Sequence, residues 1–442
     1  MNAAERYLAA IRNAPLRVRC GRLLACNGLV MEAHGPEAPL GELCEVRDAT
    51  SDESIVAQVV GYRDGRVVLM PYGEVRQIAA GARVRVLSGR HNVPVGRGLL
   101  GRVVDAFGHP MDDRGRIEYE AVAPLHRDPI NPLQRAEIDE VLETGVRAVD
   151  TFLTIGRGQR VGVFAGSGVG KSTLLGMLAM QARVDVIVVA LVGERGREVG
   201  DFITHALGKA GLARSVVMAA TADQPPLVRV HAVHAAHAVA EYFRDLGLHV
   251  LLILDSMTRF AMAQREIGIA AGEPPTSRGY PPSVFNQLPR ILERCGNLRG
   301  SGSISAVYSV LVEGDDMNEP VADHMRAILD GHIVLSRELA DRGQLPAVDV
   351  LRSVSRLMGR LATSAESELA RQARALLAAY ERARDLISMG AYQQGHDATL
   401  DVAVRVLPAL EGMMRQAPGE CTPRVEAMAQ LARILEPKGS AA

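Results

Sequence analysis

Lys171 and Ser172 close the run Ala165-Gly166-Ser167-Gly168-Val169-Gly170-Lys171-Ser172, which has the make-up of a phosphate-binding loop. The segment Q-R-V-G-V-F before it alternates like a buried strand. The segment T-L-L-G-M-L-A-M after it, from Thr173, reads as a helix. Strand, glycine-rich turn and helix are the context such a loop requires. Gly166, Ser167, Gly168, Val169 and Gly170 would turn successive N–H groups inward as a nest for phosphate oxygens. The helix start, with Thr173 in its first turn, adds unpaired donors and a positive partial charge. Lys171 is placed to reach the β- and γ-phosphates of a nucleotide, and the Ser172 hydroxyl to ligate Mg²⁺. Ala165 stands where the strict pattern has Gly; this costs backbone freedom but removes no ligand.

Phosphoryl transfer also needs a metal-holding carboxylate, an oriented water and charge neutralisation. The apolar run Val250–Leu254 ends in Asp255. A carboxylate at the end of a buried parallel strand faces the same edge as the phosphate loop, so Asp255 is expected to hold Mg²⁺. The run D-V-I-V-V-A-L-V leads into Gly193-Glu194-Arg195, which makes Glu194 the candidate general base. Arg195 is placed to touch the γ-phosphate or to fix Glu194, while Arg197 and Glu198 read as a surface pair at a helix start. Arg259, one turn past Asp255, is a further phosphate-side cation. Arg356, in S-V-S-R, lies beyond the core sheet and has no route to its own loop. At a subunit boundary it would serve a neighbour's site as an arginine finger.

Other clusters point elsewhere. His231, His234 and His237, with Glu241 nearby, form a drifting helical stripe that reads as an amphipathic surface rather than a metal site. Glu313-Gly314-Asp315-Asp316 lacks the ligand order of a calcium loop and reads as a solvated or substrate-facing turn. Cys20, Cys26, Cys44, Cys295 and Cys421 are scattered and odd in number, which fits free thiols in a reducing cytoplasm.

The elements that must position these residues are legible in the periodicity. Residues 1–15 suit a short amphipathic helix closed by Pro15, marginal alone and therefore docked on its own protein or a partner. Residues 17–88 carry six short β-type runs with glycine turns, the pattern of a small β-barrel. Residues 89–150 read as a Gly- and Pro-rich connector. Strands at 159–165, 185–192, 214–219, 249–254, 303–311 and 331–335 alternate with helices, which implies a mostly parallel sheet covered on both faces. The nucleotide domain with its connector spans 89–360. From 361 to 442 the chain is helical, opened by a Thr363/Glu366 capping box and carrying the stripe Leu369, Ala373, Leu376, Tyr380, Ala383, Ile387.

Fifty basic against 51 acidic residues, and no Trp, leave little for a nucleic-acid surface. No signal-peptide core or uninterrupted apolar run of about 18 residues appears.

The strings F-A-G-S-G-V-G-K-S, V-G-E-R-G-R-E-V, L-L-I-L-D-S-M-T-R-F-A-M-A-Q-R-E-I, R-G-Y-P-P-S-V-F, R-A-I-L-D-G-H-I-V-L-S-R and S-V-S-R resemble those of the type III export ATPases, relatives of the catalytic subunit of rotary ATP synthases. The likeness runs from about residue 17 to about 400. E-G-D-D-M-N-E-P is similar to the flagellar branch. The resemblance implies a β-barrel, a RecA-like ATPase domain and a helical C-terminal domain, with ATP and Mg²⁺ bound between subunits of a homohexamer. It also implies a regulatory stalk-like partner at the N-terminal helix, a central stalk protein, export chaperones with cargo and a membrane export gate, all at the cytoplasmic face of the inner membrane. Many relatives carry Tyr where this chain has Leu345, so an adenine-stacking contact of about 0.5–1.5 kcal/mol is missing; Tyr392 is the candidate replacement wall. The alternatives are an injectisome ATPase, a termination-type RNA translocase, and a noncatalytic ring subunit, which would lack Glu194.

Overall fold

The computed structural model describes residues 18–48, 53–76, 78–87 and 91–436, and the chain divides into two compact units. The helix expected at 1–15 lies outside the described residues. One unit holds the residues up to 91 together with 223–230 and 262–284. Its strands Cys20–Asn27, Val30–His34, Leu43–Arg47, Ser54–Arg63, Arg66–Pro71 and Arg83–Val86 close into a barrel in the order 1-2-5-4-3-6. Strict alternation drives the closure. In the last strand Val84 and Val86 point inward while Arg83 and Arg85 are exposed. Leu23, Met31, Val46, Val59, Leu69 and Val84 fill the interior. Each such side chain contributes about 1.5–3 kcal/mol on burial, and closure leaves no strand edge open.

The other unit holds residues 92–222, 231–261 and 285–442. Its central sheet runs in the order Val354–Ser355, Gly331–Leu335, Arg160–Ala165, Ser303–Leu311, His249–Asp255, Val186–Val192, Ser215–Ala220, Arg102–Val104. All neighbours on this path are parallel except Val354–Ser355, which pairs antiparallel with Gly331–His332. Every residue of Val186–Val192 and of His249–Asp255 is buried, as a sheet covered on both faces demands. All six strands expected from the periodicity are present, within a residue at their ends. The connector does more than connect. Its three residues Arg102–Val104 join the sheet beside Val216–Met218. Asn92–Val95 pairs with Ala121–Pro124.

The helices Ser364–Ser388, Ala398–Met414 and Arg424–Leu435 bury Ala373, Leu410 and Leu431 in the same core cluster as Leu174 and Leu251. Thr363 opens the first of them with the expected capping box. Its buried line is Ala370, Ala373, Leu377, Ala379 and Ala383, shifted from the expected stripe. Alanines let neighbouring helices approach, and the bulkier Leu369, Leu376, Tyr380 and Ile387 stay half-buried at the flanks. Among the described residues no helix is long and apolar enough to cross a membrane.

The three histidines are the clearest correction. His231, His234 and His237 are 7%, 7% and 0% exposed, so their helix Pro226–Asp245 does not present them to solvent. His237 bonds the Val233 carbonyl and the Tyr308 hydroxyl, and His234 meets Arg294. Glu241 forms a fully buried pair with Arg294 at 2.8 Å. Histidine's polarity suggested a wet face, but these partners satisfy it inside the core. Among the described residues no cluster of His, Cys, Asp and Glu is fit to hold a metal by itself.

Candidate nucleotide site

The loop strand Arg160–Ala165 lies between Ser303–Leu311 and Gly331–Leu335. Its C-terminal end releases the loop, and the helix Lys171–Gln181 starts at once, with Gly170 at its N-cap and no side-chain cap. The first-turn amides are therefore left for a ligand. Gly170 has φ 93°, a conformation that a side chain would strain. Gly166 is required for space: a β-carbon there would sit 2.9 Å from Asp315 Oδ1. The acidic turn Glu313–Asp315 thus folds against the phosphate loop rather than standing free. Ser167, Gly168, Ser172 and Thr173 are exposed, while Val169 anchors the turn in the core.

Asp255 ends its strand two positions across the sheet from the loop strand, at the same edge. Lys171 Nζ donates to Asp255 Oδ1, and to Glu194 Oε1 at 3.2 Å. The structure therefore brings the three central sequence candidates into one cluster: Lys171 is 11% exposed, Glu194 13% and Asp255 3%. Burial works against the charge on Lys171, but Asp255 and Glu194 outweigh it and hold the ammonium above its ordinary range. Burial pushes Glu194 up to about 7, helped by the charge of Asp255 and by a hydrogen bond with Glu198. Ser309, unmarked in the sequence, donates its hydroxyl to Asp255 and fixes that carboxylate.

The arginines are placed differently. Arg195 is 81% exposed and pairs with Glu198 at 3.6 Å, while Arg197 pairs with Asp201. The expected Arg197–Glu198 surface pair is replaced, because an i,i+3 or i,i+4 spacing faces one side of a helix and adjacent residues do not. Glu198 instead links Arg195 to Glu194. The side chain of Arg259 lies against Gly193, where a β-carbon would sit 2.8 Å from Arg259 Cβ. Arg356 follows the edge strand Val354–Ser355; its N–H bonds the Asp330 carbonyl and its side chain the Arg326 carbonyl. Asp330 also bonds Arg160, so Arg356 sits at the start of the parallel strands, whereas the loop leaves their far end. Five residues of strand, roughly 16 Å, separate those levels. The structure does not bring Arg356 to its own loop.

A cavity of about 700 Å³ opens beside the loop helix. Ser172, Thr173, Met177, Phe202, Pro418 and Cys421 are among the residues that line it. Tyr392 is not among its lining residues; its hydroxyl donates to Asp401 at 2.6 Å. The segment 415–422 is clamped by Arg147, which donates to the Met413 carbonyl and to Glu420, and by Gln181, which donates to the Pro418 and Glu420 carbonyls. No periodicity marks this segment, so sequence reasoning missed it. Leu345 is 49% exposed, and a β-carbon on Gly170 would lie 3.9 Å from its Cδ2. Arg337, also missed, donates to the Ser167 carbonyl at 3.0 Å. Its signal was available, since it follows the last apolar strand at the loop edge as Asp255 and Glu194 follow theirs.

The oxygen donors Ser172 and Asp255 suit a hard divalent cation. When Glu194 is ionised, two carboxylates face one ammonium and the cluster carries excess negative charge, which also favours a cation.

Comparison with known proteins agrees with this architecture. The profile of the ATP synthase alpha/beta family nucleotide-binding domain matches residues 145–355, that family's beta-barrel domain residues 24–87, and the T3SS EscN ATPase C-terminal domain residues 362–433. The chain is 50% identical to the flagellum-specific ATP synthase of Salmonella typhimurium over 94% of this chain and 93% of the relative. It is 49% identical to that of Bacillus subtilis, over 94% and 95%. The assembled ATPase EscN of the enteropathogenic E. coli type III secretion system superposes with a TM-score of 0.89 at 40% identity, over 94% of this chain and 99% of EscN. EscN in complex with its central stalk EscO gives 0.85 at 38% identity, with the same coverage. The chain belongs to the ATP synthase alpha/beta family of nucleotide-binding ATPases, in the branch that holds the flagellum-specific and type III secretion enzymes.

Proposed function

We propose that this ATPase hydrolyses ATP to ADP and phosphate to energise flagellar type III protein export, and that its reaction centre is the Lys171–Glu194–Asp255 cluster beneath the phosphate loop. The observation that carries this reading is one buried ammonium bridging two carboxylates at an uncapped helix start. A γ-phosphate gives Lys171 a third anionic partner and draws it from the carboxylates. Residues 166–170 hold the phosphates through backbone N–H groups, and Thr173 with the Pro418–Cys421 wall receives the nucleoside side. Ser172 and Asp255 would hold Mg²⁺, which would supply charge neutralisation for the phosphates. Glu194, ionised, accepts a proton from the attacking water. Arg195 acts on Glu194 through Glu198. Tyr392, tied to Asp401 and absent from the cavity lining, is given no part in binding the base.

The finger is Arg356 of a neighbouring copy, since its own loop is a strand length away. This makes a homohexamer the working form, a reading supported by the likeness to assembled EscN. A central stalk protein in the ring is supported by EscN's complex with EscO. The N-terminal segment then docks a regulatory stalk-like partner, and the C-terminal helices meet chaperone-bound cargo at the cytoplasmic face of the export gate. Lys171→Ala is the direct test of the loop. It should abolish hydrolysis and weaken Mg-ATP binding, read by isothermal titration, and wild-type affinity in that variant would overturn the assignment.

A further inference from the structure

We propose that the short helix Arg337–Asp341 links the phosphate loop to the C-terminal helices, with Arg337 a positioning residue for nucleotide binding. This rests on the nucleotide site above. Leu335 lies opposite Ala165 in the parallel pair, so two residues further along Arg337 stands beside Ser167. Its guanidinium donates to the Ser167 carbonyl at 3.0 Å, and a β-carbon on Gly166 would lie 3.2 Å from the same guanidinium. The Ser167 carbonyl shares a planar peptide with the Gly168 N–H. Holding the oxygen on one side aims that N–H to the other, and it is one of the nest donors for phosphate.

The next residue grips a different element. Glu338 pairs with Arg384 on the helix Ser364–Ser388, and that hydrogen bond holds its carboxyl below the ordinary range. Arg384 also meets Glu381 at 3.0 Å. Ser336 caps the turn by accepting from the Leu339 N–H. Adjacent residues of one capped turn therefore hold the loop and the C-terminal helix. A displacement of the loop on nucleotide binding shifts the turn and reaches Arg384, and the reverse holds by linkage. The Glu338–Arg384 pair is partly exposed, so the coupling is about two- to five-fold in affinity.

The test is a double-mutant cycle on the full chain, with the dissociation constant of Mg²⁺ and N-methylanthraniloyl-ADP as readout. Arg337→Ala should weaken binding about ten-fold or more, and Arg337→Lys, which keeps a donor, should recover part of it. Arg384→Ala should change affinity about two- to five-fold in the wild-type background and not at all in the Arg337→Ala background. Equal effects of Arg384→Ala in both backgrounds, or no effect in either, would overturn the link. A wild-type chain that binds no probe would instead remove the nucleotide site, and the link with it. Thermal melts within a degree of wild type separate these outcomes from misfolding, and the Arg337→Lys and Arg384→Ala pair carries the test if Arg337→Ala does not fold.

Discussion

Glu194 can act as general base only when ionised, and its surroundings set the pH at which that happens. Burial and the neighbouring Asp255 charge push its carboxyl up to about 7. With that value the ionised fraction is about one-eleventh at pH 6, half at pH 7 and about ten-elevenths at pH 8. The sign follows from the role: a base is active deprotonated, so the rate rises with pH. Because kcat/KM reports the free enzyme, it should climb about ten-fold between pH 6 and pH 8. Glu194→Gln removes the base while keeping the side chain's shape. It should lower kcat by about 10²- to 10⁴-fold, leave ATP binding within a few-fold, and flatten the remaining profile. The assay is steady-state phosphate release at saturating Mg²⁺, with KM and kcat resolved at each pH. A wild-type profile flat from pH 6 to pH 8, or a Glu194→Gln enzyme with the wild-type rate, would refute the reasoning.

Burial drives His237 down to about 3 and His249 to about 4. The unfolded chain takes up these protons first, near pH 6.5, so the stability tied to the neutral rings is present above that pH and is lost as pH falls toward 4. Each ring should lose about 2 kcal/mol between pH 7 and pH 5. Urea midpoints at the two pH values measure this, and an unchanged midpoint would contradict it. Leu345 lies against the loop at Gly170. Leu345→Tyr should tighten ATP binding by about 0.5–1.5 kcal/mol, seen as a lower KM with kcat little changed; an unaltered KM would remove residue 345 from the base pocket.

The parts of this molecule that were legible in its sequence are those fixed by local patterns. Alternation in R-V-R-V and its companions sufficed for the barrel, and continuous apolar runs sufficed for the inner strands. Glu194 and Asp255 were visible because each terminates such a run, and a strand end in a parallel sheet has only one edge to face. What was hidden depends on contacts between distant segments. Arg102–Val104 is three residues in a Gly- and Pro-rich stretch, and only its pairing with Val216–Met218 makes it a strand. The histidine stripe read as wet because the sequence does not reveal that Tyr308 and Arg294 wait inside to bond it. The Pro418–Cys421 wall is held by Arg147 and Gln181, more than 200 positions away in sequence. Tyr392 looked like the nearest aromatic for a base, yet Asp401 holds its hydroxyl.

Arg356 and Lys171 on different copies of the chain must meet if the active unit is a seam between subunits. The most direct measurement is phosphate release from mixtures of Arg356→Ala and Lys171→Ala proteins, each inactive alone. Among the described residues the Arg356 side chain makes one hydrogen bond, an exposed one to the Arg326 carbonyl, so its loss should leave the melting temperature unchanged while lowering turnover by about 10³-fold or more. Mixing should restore activity, because some seams then join an intact loop to an intact finger. Mixtures that stay as inactive as their components at every ratio, although both variants assemble, would contradict the account.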